Sequence, residues 1–124
     1  MRFKALTDDQ KMAVTAMILK TGKSLAPDRF PKPDPEVTRL WAKTLDGLYY
    51  KFPFPEMWEE AVMYWCLEKA GEKMITPADL KSAVHSIRDQ WEKQPQRRQA
   101  LNQWRDARSL NPVNEITGGE MKCL

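Results

Sequence analysis

The sequence predicts an all-α protein: a small bundle of about five helices followed by a flexible C-terminal tail. Three observations carry that expectation. Apolar residues recur at helical i, i+3, i+4 and i+7 spacing in segment after segment. Strong helix starts, Thr7-Asp8-Asp9-Gln10, Asp34-Pro35, Pro55-Glu56 and Thr76-Pro77-Ala78-Asp79, stand in front of those segments. No segment alternates with the period of two that a strand requires, and no internal repeat is present. At 124 residues the chain is one domain's length, with a helical domain expected over 1–109 and a mobile tail over 110–124.

Taken in order, Thr7 and Gln10 form a capping box that opens a helix carrying Ala13, Val14, Met17 and Ile18 inward and ending near Gly22. Residues 24–35 hold four prolines in twelve positions, which predicts an extended, stiff connection. Asp34 then caps a second helix with Pro35 at its first position. Val37, Leu40, Trp41, Thr44, Leu45 and Leu48 fall on one face of it, and Asp46-Gly47 marks its end. YYKFPF, residues 49–54, reads as a short aromatic connection.

The stretch 55–70, PEMWEEAVMYWCLEKA, is the expected centre of the bundle. Trp58, Ala61, Val62, Trp65 and Cys66 form its inward stripe, and Met57, Met63, Tyr64 and Leu67 widen it until the second half is apolar almost all round. Such a helix is usually covered by several neighbours. Trp41, Trp58 and Trp65 are expected in one core, and Gly71 as a left-handed stop. A fourth helix follows Thr76-Pro77, with Leu80, Val84, Ile87 and Trp91 inward, until Pro95 interrupts or kinks it. A fifth runs to about Ser109 with Ala100, Leu101, Trp104 and Ala107 on one side. The remainder, with Asn, Pro and paired glycines, has no sustained period.

Composition excludes several function classes. The longest apolar run, 61–67, is far too short to span a bilayer, and MRFKALTDDQ carries no signal-peptide core. Two cysteines, Cys66 and Cys123, are poor disulfide partners by position, so a reducing cytoplasm is expected. His85 is the single histidine and falls on the polar side of its helix, the place of an ordinary solvated side chain. One histidine and two distant cysteines have no zinc-ligand spacing, and no glycine-rich phosphate loop is present. A Cys66–His85 nucleophilic pair would need an exposed, electropositive thiol, whereas Cys66 falls where a small core residue is expected. The expectation is therefore no catalysis, no metal, no cofactor and no small-molecule substrate.

Charge is more informative. Net charge is only +3, which permits contact with nucleic acid or an acidic protein without demanding either. At about 100° per residue, Lys81, His85, Arg88 and Glu92 line one flank of the fourth helix. By the same step Arg97, Arg98, Arg105 and Arg108 gather on one edge of the fifth, beside Trp104. Arginine forks suit phosphates and carboxylates equally well. Lys81, Arg88, Arg97, Arg98, Arg105 and Arg108 are the candidate partner- or nucleic-acid-binding residues. Against that stands a solvated face laced with i, i+4 pairs such as Arg88–Glu92.

Three stretches, LTDDQ at the first helix, EVTRLWAKTL, and MITPADLKSAVHSIR with its Ile75–Leu80 turn, resemble the small loader-and-inhibitor proteins of bacteriophage replicative helicases. The resemblance spans residues 6–88. It implies an all-helical folded part and a flexible C-terminal region, with no ATPase and no catalytic residues. It also implies binding to a replicative helicase or replication initiator, loading or restraining the helicase near single-stranded DNA in the host cytoplasm. The proline-rich 24–35 stretch, YYKFPF and the basic fifth helix are departures from that pattern. Two other readings of the same residues are a direct nucleic-acid binder using the arginine edge and a host-takeover inhibitor of a bacterial protein.

Overall fold

Helix α1, Asp8–Leu25, begins at the capping box that the sequence calls for. The Thr7 amide donates to Gln10 Oε1 at 2.8 Å and the Gln10 amide to Thr7 Oγ1 at 3.2 Å. The computed structural model describes residues 6–110, with side chains through Ala107. The tail expected over 110–124 lies outside the described residues save for Leu110, the last residue of the final helix. The protein is all-α: α2 is Pro35–Thr44, α3 Asp46–Lys51, α4 Pro55–Tyr64, α5 Pro77–Glu92 and α6 Pro95–Leu110, with a π-helical turn at Trp65–Lys69. Two compact units emerge, residues 5–89 and a second whose described part is 90–110. The boundary falls within α5.

In the first unit α1 packs against α4 and against α2. Its buried face is Val14, Thr15, Ile18, Leu19 and Gly22, while Ala13 is exposed. That face is turned by about one residue from the expected one. The cause is polar. The Tyr49 hydroxyl reaches Thr15 Oγ1 at 2.6 Å in the core. Thr15 spends its own proton on the Lys11 carbonyl at 2.7 Å, so the phenol donates. A buried threonine satisfied on both sides costs little. Burial holds the Tyr49 hydroxyl well above the ordinary tyrosine range, so it stays protonated.

The 24–35 connection is not uniformly extended. Helix α1 continues to Leu25, and a turn closed by the Arg29 amide on the Ala26 carbonyl (2.9 Å) swings Phe30 into the core. Lys23 Nζ donates to the Pro27 and Phe30 carbonyls at 2.9 and 3.2 Å, which fixes that turn. Helix α2 starts as expected, with Asp34 Oδ1 accepting the Val37 amide at 2.8 Å and Pro35 at the first position. Its buried face is Thr38 and Ala42, continuing into Leu45. Leu40 is 48 % exposed, Thr44 is exposed, and Trp41 is only half-buried. Trp41 is therefore not a member of the core that holds Trp58 and Trp65.

Asp46-Gly47 does not end the helical path, because α3 follows after a single residue and takes in Tyr49 and Tyr50. Among the described residues this makes six α-helices in place of about five. The aromatic stretch is itself core: Tyr49, Phe52 and Phe54 are all buried.

Helix α4 is the centre of the first unit. Met57, Trp58, Ala61 and Val62 have no exposed surface. Trp58 Nε1 donates to the Phe52 carbonyl at 2.8 Å, and its ring meets Tyr49 edge-on at 4.9 Å. Beyond Tyr64 the helix widens, with the Ala70 amide donating to the Trp65 carbonyl five residues back at 2.8 Å. A π turn holds an extra residue, so side chains after Trp65 leave the α-helical phase. Trp65 stays buried, Cys66 is half-buried, and Leu67 is 81 % exposed with Met63 also outward. The second half of this helix is thus not covered all round. Ala70 leaves the turn in an extended conformation and Gly71 has no left-handed φ, so the expected glycine stop is not used.

Helix α5 opens at Thr76, whose Oγ1 accepts the Asp79 amide at 3.3 Å while Asp79 Oδ2 accepts the Thr76 amide at 2.9 Å. Leu80, Val84 and Ile87 are buried as expected, with Ala83 added between them. In the second unit Trp91, Leu101 and Trp104 are buried. Pro95 separates α5 from α6 and takes the first position of the new helix.

Candidate functional site

The six candidate cations divide between the two units. Lys81 and Arg88 belong to residues 5–89, and Arg97, Arg98 and Arg105 to the second unit. The Arg108 side chain lies outside the described residues.

Helix α6 begins at Pro95 because proline cannot continue α5, and this break returns the chain so that α6 side chains meet the last turn of α5. Arg105 Nη2 donates to Glu92 Oε2 at 2.6 Å, and its Nη1 donates to Asn102 Oδ1 at 3.2 Å. Arg97 lies over the Trp91 ring, with the guanidinium carbon 4.7 Å from the centroid. A cation over an indole face is held by the ring quadrupole as well as by packing. The edge is therefore of mixed sign: two arginines are held by Trp91 and Glu92, and Arg98 is exposed.

In the first unit, Arg88 Nε donates to Asp89 Oδ1 at 3.0 Å and the guanidinium sits 6.0 Å from the Phe52 centroid. Arg88 pairs with the neighbouring Asp89, and Glu92 pairs with Arg105. Lys81 is exposed, and its carbonyl lies 2.9 Å from His85 Nδ1.

His85 is not the plain solvated histidine that its helical position suggests. It is half-buried, with its ring edge-on to Phe52 at 5.2 Å. YYKFPF delivers that ring, a contact invisible while the stretch is read as a connection. Burial first, then Arg88, holds the His85 pKa below its ordinary 6.5; Lys51 and Lys81 add to this and Asp89 opposes it. The folded protein therefore favours neutral imidazole. The associated stability is fully present above pH 6.5 and is lost as pH falls from there toward the depressed folded value. His85→Gln is expected to lose less melting temperature than the parent between neutral and mildly acidic pH. Parallel pH profiles would show that the Phe52 contact does not discriminate the two protonation states.

Cys66 is half-buried, and burial pushes its thiol up, away from thiolate reactivity at neutral pH. His85 Nδ1 meets the Lys81 carbonyl, and the thiol has no base assigned to it by geometry. Two open clefts accompany these groups within the first unit. One of about 190 Å³ lies beside the π turn, between Tyr64, Trp65 and Lys69 and the α5 residues Asp79, Ser82 and Ser86. The other, about 320 Å³, lies between α1 and α2 and is spanned by the 2.6 Å Lys11–Asp46 ion pair. Among the described residues no three His, Cys, Asp or Glu side chains converge as a metal site would need, and no helix is long and apolar enough to cross a membrane.

No family model matches the chain, and no solved structure matches it.

Proposed function

We propose that this protein is a non-catalytic accessory factor of bacteriophage DNA replication. It binds a replicative helicase, or the initiator that receives it, and loads or restrains the helicase in the host cytoplasm. Support from the sequence comes from LTDDQ, EVTRLWAKTL and MITPADLKSAVHSIR, which open or form α1, α2 and α5. The observation that favours a protein partner over nucleic acid is the pairing of Arg105 with Glu92 beside Arg97 on Trp91. A phosphate-tracking surface gains affinity from a run of cations that release counterions together. An edge that neutralises one of its own arginines and lays another over an indole face is closer to the composition of protein interfaces, where Arg and Trp concentrate.

Arg98→Glu tests this better than changes at Arg105, which would set a carboxylate against Glu92. Exposed charges contribute little to stability, so the variant should fold as the parent does. Titrated against the purified replicative helicase, it should bind about tenfold more weakly or worse, because like charges then meet across the contact. Titration against labelled single-stranded DNA supplies the other arm. Tight, steeply salt-dependent DNA binding that disappears in the variant would instead establish a nucleic-acid binder. Unchanged helicase binding would remove α6 from the interface.

A further inference from the structure

We infer that α2 is a self-association helix, pairing antiparallel with α2 of a second copy of this chain. Helix α2 buries only Thr38 and Ala42. Adjacent to them a second apolar strip, Val37, Leu40, Trp41 and Thr44, runs at i, i+3, i+4, i+7. Its inner members Val37 and Trp41 are half-buried, whereas Leu40 and Thr44 are exposed. Leu40, 48 % exposed, is the outermost apolar side chain of this strip.

The charges beside this strip choose the occupant. At about 100° per residue, Glu36 and Lys43 project within roughly 20° of each other on the flank next to Leu40, one near each end of the helix. In a two-fold antiparallel pair each flank faces its own reversed copy. With the axis near Leu40, Glu36 of one copy meets Lys43 of the other, twice, while the Leu40 side chains pack across the axis. A parallel pair would set Glu36 against Glu36 and Lys43 against Lys43, so the charge order also fixes direction. Arg39 lies farther round the helix and forks onto its own Glu36, Nη2 on Oε2 at 2.7 Å and Nε on Oε1 at 3.3 Å, and each carboxylate oxygen keeps a further lone pair for a second donor. A helix whose flank is complementary to itself in reverse fits a second copy without further assumption. This inference stands apart from the helicase reading, since it concerns α2 rather than α6.

The test is sedimentation of the full chain over a wide concentration range. The parent should dimerise. Leu40→Gln should be monomeric at concentrations where the parent is not, with an unchanged helical spectrum, because the side chain is exposed. Glu36→Lys and Lys43→Glu should each weaken dimerisation about tenfold or more, since both cross-axis contacts become repulsive. An equimolar mixture of these two variants should restore a heterodimer, because Lys then faces Glu at both contacts. A parent that stays monomeric throughout overturns the inference. So does either single charge variant dimerising like the parent, or a mixture that fails to recover.

Discussion

Trp58→Ala is expected to destabilise the protein by about 3–5 kcal/mol, the range found when a buried aromatic site is emptied. Trp58 has no exposed surface, and three separate losses coincide there. The cavity is left in the buried core beside Tyr49 and Phe52, where relaxation is limited by close packing. The edge-on contact with Tyr49 at 4.9 Å disappears, and Tyr49 is also the donor that satisfies Thr15 in the core. Finally, the Phe52 carbonyl loses the indole N–H that reaches it at 2.8 Å, which leaves a buried acceptor unpaired. Trp58→Phe separates these losses: it keeps much of the volume and removes only the hydrogen bond and part of the packing, so it should cost clearly less. Chemical denaturation of both variants provides the measurement. An alanine variant with the parent's midpoint would mean that α4 is not the centre of the first unit.

Gly22→Ala is the second large effect, and here two principles give opposite signs. Helix propensity alone favours alanine by roughly 1 kcal/mol in a helix interior. Packing opposes it, because a Cβ at Gly22 would occupy the space of the Phe30 ring. That ring has nowhere to retreat: Phe30 is buried and lies edge-on to Trp65 at 5.6 Å. Forcing extra volume into such a site typically costs about 1–3 kcal/mol, and an overlap with a confined aromatic belongs at the upper end. A net loss is therefore expected on thermal or denaturant unfolding. Gly22→Ala combined with Phe30→Leu should recover part of it, since the smaller side chain can yield, and the double-mutant cycle should show coupling between the two positions. A more stable single variant would show that Phe30 moves aside freely.

Those two residues mark the division between what was legible in the chain and what was not. Gly22 is visible in the sequence only as a helix end, and Phe30 as an aromatic among prolines. Neither spacing nor composition says that one must stay small because the other lies on it. The same holds at α3. Asp46-Gly47 has the composition of a helix end, yet Gly47 meets nothing within 4 Å and is simply helical. Burial of Tyr49 outweighs the modest cost of glycine in the chain before it.

At the candidate site, the helical positions of Arg97, Arg98 and Arg105 follow from the 100° step alone. Their partners do not. Glu92 is thirteen positions from Arg105, and only the return of the chain at Pro95 brings the two carboxylate oxygens to the guanidinium. His85 acquires its apolar neighbour in the same way, from Phe52 more than thirty positions away.

What the sequence by itself determined is local: the all-α class, the capping box at Thr7, the cap at Thr76, proline at the starts of α2, α4 and α5, and the inward stripe of α5. Each depends on residues within about one turn of helix, where hydrogen-bond and dihedral constraints act through the chain. What the tertiary structure decided is which apolar face goes inside and which charges are already spoken for. Helix α1 turns by a residue to bury Thr15 because Tyr49 can satisfy it, and α2 turns Thr38 and Ala42 inward while Leu40 stays at the surface. An amphipathic stripe wider than the contact it makes has more than one way to pack, and only its neighbours in space select among them.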